Sequence, residues 1–278
     1  MTTLGIDVGA SKVRYVVWEK DRASLDEEVK LPSPDREELR RIFQEIAQKI
    51  KEGQIFISAT GVGLPGTVEG ENVNYAPNFP DLLGWDIKAE LEKLLGVPVT
   101  LTNDAKAFVI AETQAGAAKG RRNVIGLTLG SGLGGGLILN GDLYRGRGTA
   151  GEVGHEILDL PNRKEAEDFV SAKFFQKFGG DPHTLREQAG KGDAQAKQTF
   201  AEFGQNLGVV VANLVNLLDP EVIVLGGGIS GAYDLFISET RATAQELIVN
   251  PNRKNIEILK ASLGPSAGAI GAALLAGL

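Results

Sequence analysis

The sequence contains no cysteine and only two histidines among its 278 residues. The absence of cysteine excludes disulfides, thiolate metal sites and cysteine nucleophiles. It also fits a reducing compartment, and we therefore expect a cytoplasmic protein. Positive charge is scarce too: 29 Lys and Arg stand against 36 Asp and Glu, which gives a net charge of −7. Nucleic-acid-binding proteins need an excess of positive charge, so we expect no nucleic-acid partner.

Long apolar runs and a signal peptide are also missing. The stretches LGVVVANLVNLL and AGAIGAALLAGL carry Asn or several Gly and are shorter than the roughly 20 residues that a membrane-spanning helix needs. The opening segment, MTTLGIDVGA, lacks the basic and apolar regions of a signal peptide. We therefore expect no membrane partner. The 42% hydrophobic and 23% charged residues are ordinary globular usage.

Apolar periodicity in the first half of the chain predicts alternating strands and helices. Residues 4–19 show two apolar strands around a glycine turn, and 35–51 show apolar positions at helical spacing. Asp35 is suited to cap that helix at its start and Gly53 at its end. The further predicted elements are a strand and a Gly/Pro-rich loop in IFISATGVGLPGTV, a helix over DIKAELEKLLG, a strand over VPVTLTND and a helix over AKAFVIAETQAGAAKG.

The second half repeats the opening pattern. Residues 123–144 show a strand, a glycine-rich turn and a second strand, and Asn140–Gly141 then supplies a hairpin turn. A helix is predicted over 196–218, a strand and glycine turn over EVIVLGGGISG, and a small-residue helix over SAGAIGAALLAGL. This partial internal repeat predicts two similar α/β halves with a cleft between them.

Glycine turns suggest phosphate binding. The segment 130–135, GSGLGG, satisfies the dinucleotide pattern G-x-G-x-x-G, but the residues that follow read as a strand rather than the required helix. A hairpin turn rich in Gly and hydroxyls still brings backbone N–H groups close to phosphate oxygens. The turns DVGASK and LGSGLGGG are therefore candidates for a triphosphate site, with LGGGIS as a third turn. The alternative is that these glycines only permit tight turns.

Six motifs together resemble those of a known family. DVGASK, LPGTVEG, TNDAKAF, LGSGLGGG, GEVGH and LGGGISG occur in the order found in the ROK family (repressors, open reading frames, kinases), whose sugar kinases belong to the actin-like ATPase superfamily. The resemblance covers residues 4–278. It implies an α/β fold of two actin-like (ribonuclease H-like) lobes with an interlobe cleft. The N-terminal lobe would comprise residues 1–105 and 264–278, and the C-terminal lobe residues 106–263.

The resemblance also implies an activity and its cofactors. Sugar kinases of this family transfer the γ-phosphate of ATP to a hexose, so we expect a kinase acting on the 6-hydroxyl, with glucose as the first candidate. ATP and Mg²⁺ are the implied cofactors, a homodimer is the implied assembly, and Asp7 is expected to position Mg²⁺ through water. The residues expected to contact the nucleotide are Asp7, Gly9, Ala10, Ser11, Lys12, Gly130, Ser131, Gly132, Gly134, Gly227 and Gly228.

Asp104 is the candidate catalytic base. It lies where the strand VTLTN meets the helix AKAFVIAE, and Asp is a favoured residue at a helix start, so Asn103 and Asp104 could serve only as caps. A carboxylate at the carboxyl end of a strand also faces the usual ligand crevice of an α/β sheet. A sugar hydroxyl needs such a group to orient it and to accept its proton. The match to the family's Asn-Asp motif favours the catalytic interpretation.

The stretch GEVGHEILDLPNRKEAEDF departs from the family. In many ROK kinases the GEIGH element is followed by C-x-C-G-x-x-G-C-x-E, and its histidine and cysteines bind zinc. This chain has no cysteine there, so we predict no zinc site. The resemblance assigns sugar contacts to Glu152, His155 and Glu167, with Glu165 as the competing residue for Glu167. The alternative is that 163–168 is a solvated charged helix start.

Further sugar contacts are expected from loops nearer the N-terminus. By resemblance these are Gly66, Thr67, Asn78 and Asn103, and amide side chains suit hydroxyls because they both donate and accept hydrogen bonds. Trp85 would either stack on a sugar or pack beside the helix that follows it.

Several functions remain open at this stage. A polyphosphate-dependent glucokinase would also lack the cysteine segment, and an N-acetylhexosamine or fructose kinase would share the same motifs. A non-catalytic sugar-binding regulator without a DNA-binding domain is another alternative. The family's repressors carry an N-terminal helix-turn-helix, for which we expect no room because the first strand begins at Leu4.

Overall fold

The computed structural model describes all 278 residues, and the chain forms two compact units. The first unit comprises Met1–Gly116, Leu143–Ala150 and Leu263–Leu278. The second comprises Ala117–Asp142 and Gly151–Ser262. These units differ from the lobes expected from the sequence: the helix that begins at Asp104, the segment 143–150 and Leu263 all lie in the first unit.

The elements alternate along the chain much as the periodicity predicts. The strands are β1 (Thr3–Val8), β2 (Lys12–Glu19), β3 (Arg22–Lys30), β4 (Ala59–Leu64), β5 (Thr67–Glu69), β6 (Asn72–Tyr75), β7 (Val99–Asn103), β8 (Val124–Leu129), β9 (Leu133–Leu139), β10 (Asp142–Leu143), β11 (Ile157–Asp159), β12 (Lys164–Glu165), β13 (Val222–Gly226) and β14 (Glu257–Lys260). The α-helices are α1 (Arg36–Glu52), α2 (Ile87–Leu95), α3 (Asp104–Gln114), α4 (Ala166–Phe169), α5 (Ala172–Gln176), α6 (Pro182–Gly190), α7 (Ala194–Leu218), α8 (Tyr233–Leu247) and α9 (Ala267–Ala276). Short 3₁₀ turns occur at Pro80–Leu82, Val153–His155, Gly228–Ala232, Pro251–Arg253 and Gly264–Ser266.

Each unit is built on a five-stranded sheet, and the two sheets share one strand order. The first sheet runs β3-β2-β1-β4-β7 and the second β10-β9-β8-β13-β14. In both sheets the opening strand pairs antiparallel with the next strand and parallel with the strand on its other side. The equal orders confirm the internal repeat predicted from the two hairpins, and the α/β class follows from the helices between the parallel strands.

Local sequence signals account for most element ends. Asp35 caps α1 by accepting a hydrogen bond from the backbone N–H of Glu38 at 2.8 Å, and Gly53 ends that helix, as predicted. Asn140 and Gly141 have φ of 56° and 96°, which suits the predicted two-residue hairpin. No apolar pattern predicts β3, because its segment RASLDEEVK is an exposed edge strand without a strong apolar face.

The first unit achieves its packing by close backbone approach. A Cβ atom at Gly61 of β4 would lie 1.8 Å from the carbonyl oxygen of Ala272 in α9, and one at Gly5 of β1 would lie 1.9 Å from that of Ala269. On its other side α9 approaches α3, where a Cβ at Gly271 would lie 1.7 Å from the carbonyl oxygen of Ala107. Glycine at these positions therefore lets α9 lock together the two strands and the helix that lead to the site.

The second unit fills its core with aromatic rings. Five phenylalanines from α5, α7 and α8 form a continuous cluster, with ring centroids 5.0 Å apart for Phe175 and Phe203 and 5.3 Å apart for Phe203 and Phe236. Such offset and edge-on pairs add to the stabilisation from burial alone. None of the helices combines the length and the apolar character needed to cross a lipid bilayer.

Candidate active site

In the first unit, two acidic residues flank a position that has no side chain. Asp7 lies near the carboxyl end of β1 and is in register with Gly63 of the adjacent β4, and Asp104 begins α3 directly after β7. A Cβ at Gly63 would lie 3.3 Å from Oδ1 of Asp7 and 3.6 Å from Cα of Asp104. The fold thus brings the expected magnesium residue, Asp7, and the expected base, Asp104, together at the carboxyl ends of the parallel strands, which we call the sheet edge.

The environment of Asp7 disfavours its negative charge. Burial raises the pKa of Asp7 to about 7, and the nearby Asp104 contributes in the same direction, while Lys12 and Arg14 oppose the rise. Helix α9 closes one side of this carboxyl, since a Cβ at Gly268 would lie 2.3 Å from Oδ2 of Asp7. A cation bound here would relieve the repulsion between the two acids.

Asn103, and not Asp104, is the residue that caps α3. Its Oδ1 accepts from the backbone N–H of Lys106 at 3.1 Å, which makes it the N-cap of α3. Its Nδ2 donates to the carbonyl oxygen of Gly66 at 2.8 Å. Asp104 is instead the first helical residue, and its Oδ1 accepts from the N–H of Ala105 at 2.8 Å. The cap therefore does not account for Asp104.

The remaining expected sugar residues of this unit lie in the loops after β4. Gly66 has φ of +92°, and a Cβ there would lie 2.0 Å from the carbonyl oxygen of Tyr75, so the turn requires glycine. Thr67 is buried at the start of β5, whereas Asn78 is exposed in the loop after β6. Trp85 is buried, and its Nε1 donates to Glu90 at 2.7 Å, so its contacts support the packing interpretation.

The DVGASK hairpin joins β1 to β2 and exposes its polar tip. The N–H of Gly9 donates to the carbonyl oxygen of Lys12 at 2.8 Å, and Ala10 and Ser11 are exposed. The Nζ of Lys12 forms an ion pair with Glu28 of β3 at 2.7 Å. The positive charge expected to meet phosphate is therefore held by a carboxylate in this conformation.

In the second unit, the expected nucleotide residues come together beside a pocket of about 330 Å³. Gly130 and Ser131 of the β8–β9 turn line it together with Gly228, which follows β13, while Gly132 and Gly134 belong to the same turn and strand. The neighbouring Gly227 has φ of +80°. The other lining residues are Ala172, Asp181, Pro182, His183, Arg186, Ile229 and Ala232.

No sequence motif indicates the part of this pocket that comes from α6. Asp181 caps α6 by accepting from the backbone N–H groups of His183 and Thr184 at 2.9 and 3.1 Å. That cap is a recognisable helix-start signal, but it carries no indication of a ligand. Only the tertiary fold shows that His183 and Arg186 line the same pocket as the glycine turns.

The acid–histidine stretch contains two separate arrangements. His155 donates from Nδ1 to Oε2 of Glu165 at 2.8 Å, and this hydrogen bond raises the pKa of His155, with the charges of Glu152 and Glu167 acting in the same direction. Glu152 is exposed just before the turn that carries His155. Of the two competing glutamates, Glu165 is the one bonded to His155.

Glu167 points to a different part of the unit. Its Oε2 accepts from the backbone N–H of Leu133 at 3.1 Å, and its Oε1 is 2.5 Å from Nζ of Lys173. The residue that the resemblance assigned to sugar is thus bonded to the glycine-rich β8–β9 turn. No group of three or more His, Asp and Glu side chains in the chain is arranged to hold a metal ion.

Comparison with known proteins gives one consistent family. Residues 3–277 match the ROK family. A glucokinase from Streptomyces coelicolor is 30% identical over 99% of this chain and 97% of its own length. An N-acetyl-D-glucosamine kinase from Photobacterium profundum is 28% identical over 98% of each chain.

A solved structure extends the likeness to the whole fold. A ROK family glucokinase from Streptomyces griseus, in complex with glucose and AMPPNP, superimposes with a TM-score of 0.83 at 29% identity, and the match covers 99% of both chains. The actin-like α/β fold predicted from the motifs is therefore confirmed along the full chain.

Proposed function

The chain belongs to the ROK family and is a sugar kinase of that family, and we propose that it transfers the γ-phosphate of ATP to the 6-hydroxyl of a hexose, with glucose as the first candidate. The observation that supports this proposal most is that Asp7 and Asp104 both lie beside Gly63, which has no side chain to fill the space near them. Phosphoryl transfer depends mainly on positioning and on charge stabilisation, and this edge of the sheet offers both.

Asp104 is the proposed general base. Asn103 is the N-cap of α3, so the catalytic role proposed for Asp104 does not compete with capping, and Oδ1 of Asp104 accepts from the N–H of Ala105. Asp104 would orient the sugar hydroxyl and accept its proton as the bond to phosphorus forms. The hydrogen bond from Asn103 to Gly66 would fix the position of the loop proposed to bind the sugar. Thr67 and Asn78 are further proposed sugar contacts.

Asp7 is the proposed magnesium residue. Hard oxygen donors suit Mg²⁺, which commonly uses one or two carboxylates, retained waters and the phosphates of its substrate. Burial and, to a lesser extent, the nearby Asp104 raise the pKa of Asp7, and a bound cation would favour its charged form, so the residues fit the group. When bound, the ion would supply charge neutralisation at the phosphates.

The donor side rests on the pocket of the second unit. The pocket lining combines the apolar side chains of Ile229 and Ala232 with His183 and Arg186, and this combination suits a purine. The adjoining Gly130, Ser131 and Gly228 offer backbone and hydroxyl groups for the phosphate tail. Polyphosphate has no base to fill such a pocket, and this favours ATP as the donor.

The sugar contacts proposed in the second unit are Glu152, His155 and Glu167. Carboxylates accept hydrogen bonds from vicinal hydroxyls, and the hydrogen bond to Glu165 fixes the ring orientation of His155. The relative from Photobacterium profundum gives the second candidate acceptor, an N-acetylhexosamine.

A coupled assay tests the proposal directly. Glucose, mannose, fructose, N-acetylglucosamine and N-acetylmannosamine are each combined with ATP or polyphosphate, and release of ADP and formation of the sugar phosphate are both measured. We expect turnover with ATP, with glucose giving the highest kcat/KM. If an N-acetylhexosamine gave a higher kcat/KM than glucose, it would be the preferred acceptor instead. If polyphosphate gave a higher kcat/KM than ATP, it would be the preferred donor instead. No turnover with any pair would contradict the kinase assignment.

A further inference from the structure

A clamp of two hydrogen bonds in the second unit joins residues 166–172 to the glycine-rich turn. Oε2 of Glu167 accepts from the N–H of Leu133 at 3.1 Å, and the same oxygen would lie 2.2 Å from a Cβ at Gly132. The N–H of Ala172 donates to the carbonyl oxygen of Gly130 at 2.8 Å. Residues 166–172 therefore grip both ends of the turn proposed to bind phosphate.

The same segment is tied to the residues proposed to bind sugar. The N–H of Ala166 donates to the carbonyl oxygen of Glu156 at 2.7 Å, next to His155. Glu165, which precedes it, holds His155 at 2.8 Å. Residues 165–172 are thus hydrogen-bonded to the GEVGH turn at one end and to the β8–β9 turn at the other, and such packed segments are a physical means by which two sites can be coupled.

The negative charge of Glu167 indicates that the clamp opposes phosphate binding at the turn. A carboxylate beside a phosphate-binding turn repels phosphate and occupies a backbone donor that phosphate would otherwise use. Lys173 offsets that charge, since its Nζ lies 2.5 Å from Oε1 of Glu167. The side chain of Glu167 keeps 22% of its surface exposed, so it has room to turn toward a ligand.

We propose that Glu167 is a positioning residue that couples hexose binding to nucleotide binding, because its carboxylate occupies the N–H of Leu133 until sugar hydroxyls draw it away. This inference rests on the proposed function. Lys173 contributes to this coupling. Once the carboxylate of Glu167 turns to the sugar, the ammonium group of Lys173 loses its partner beside the β8–β9 turn and attracts phosphate there. Hexose then tightens nucleotide binding, and by linkage nucleotide tightens hexose binding by the same factor.

The test measures binding of Mg²⁺–ADP by calorimetry, with and without a saturating concentration of the hexose that gives the highest turnover. In the wild-type protein we expect the hexose to lower the Kd for ADP by about 5- to 150-fold, the usual range of coupling between sites. Glu167→Gln keeps an acceptor oxygen but removes the charge. We expect this variant to bind ADP without hexose at least as tightly as the wild type, and its response to hexose to fall below about twofold.

A second variant reaches the same contact from the turn. Gly132→Ala brings a Cβ against the carboxylate of Glu167, so it should also reduce the coupling although the carboxylate is retained. Lys177→Gln is the matched control: its Nζ donates to the carbonyl oxygen of Asp168 in the same segment but does not contact the turn, so its coupling should equal that of the wild type. Thermal unfolding of each variant confirms that it is folded.

The outcomes separate the inference from the function on which it rests. If Glu167→Gln weakened ADP binding equally with and without hexose, the carboxylate would be only a structural support and the inference would be wrong. A wild-type protein whose ADP affinity does not respond to hexose would overturn it as well, even with full kinase activity. A protein that binds neither ADP nor hexose would contradict the proposed function itself.

Discussion

The two sheets share one strand order but differ in how the chain around them is packed and charged. In the first unit, α9 lies against β1 and β4 with almost no side-chain spacing, and acidic side chains stand at the sheet edge. In the second unit, phenylalanines fill the space between sheet and helices, and the corresponding hairpin turn carries no charged residue of its own. The same strand order therefore supports closely packed acidic residues in the first unit and, in the second unit, an uncharged turn that is held by Glu167 from another segment.

This difference suits different parts of the reaction. The proposed general-base chemistry depends on small distances, and in the first unit the backbone at Gly63 and Gly268 lies close to the carboxyl of Asp7. The proposed phosphate binding relies on backbone donors, and in the second unit one of these, the N–H of Leu133, is bonded to the side chain of Glu167. Four variants test the comparison, from the largest expected effect to the smallest.

Asp104→Asn should give the largest change. Without a proton acceptor at the sheet edge, kcat should fall by about two to four decades, the usual contribution of a general base. Circular dichroism and the melting temperature should stay close to the wild type, because Asn103 and not Asp104 caps α3. A variant that retains near wild-type kcat would remove Asp104 from catalysis and with it the proposed role of the first unit.

Phe203→Ala should be the most destabilising change in the second unit. Phe203 is fully buried and contacts the rings of Phe174, Phe175 and Phe236. Removal of such a ring leaves a cavity and costs about 3 to 5 kcal/mol of unfolding free energy. Urea unfolding followed by circular dichroism measures the loss, and a loss below about 1 kcal/mol would show that the aromatic cluster does not support this unit.

Gly61→Ala tests the close packing of the first unit. The added methyl group would meet the backbone of Ala272 in α9, which cannot move aside as a side chain can, so we expect a loss of about 1 to 3 kcal/mol from overpacking. The displaced α9 should also lower kcat, because the same helix closes over Asp7. Gly190→Ala at the end of α6, where a Cβ meets nothing, is the control and should change stability by less than about 1 kcal/mol.

The pH dependence of stability should show the smallest effect. Burial raises the pKa of Glu156 above its ordinary value of 4.5, against the opposing hydrogen bond from Asn213. The folded protein thus holds this proton to a higher pH than the unfolded chain does, so the unfolding free energy falls as pH rises through that interval. Glu156→Gln does not titrate and should raise the melting temperature at pH 8 but not near pH 4. An equal difference at both pH values would contradict this origin.

Much of the fold could be predicted because its signals are local. Apolar periodicity indicated α1, α2, α3, α7 and the paired hairpins, and Asp35, Gly53 and Asn140–Gly141 marked element ends that the structure reproduces. The edge strand β3 escaped because no residue on either of its faces is buried, so its sequence carries no strong apolar alternation. The division of the units escaped in part because the contacts that assign α3 and 143–150 to the first unit are made far along the chain.

The candidate site divides in the same way. Residue types and motif order indicated Asp7, Asp104 and the glycine turns, since the chemistry of each side chain is written in the sequence. The contacts of Glu165 and Glu167 could not be predicted, because they depend on which groups the fold brings near each carboxylate. The α6 side of the proposed nucleotide pocket escaped for the same reason.

The sequence by itself determined the class of the elements, the repeated hairpin design and the chemical groups available for phosphoryl transfer, because these follow from short-range patterns and residue identity. Only the tertiary structure decided that two acids flank Gly63, that Asn103 and not Asp104 caps α3, and that Glu167 holds the glycine-rich turn. Those arrangements arise from contacts between segments distant in the chain, which no local pattern specifies.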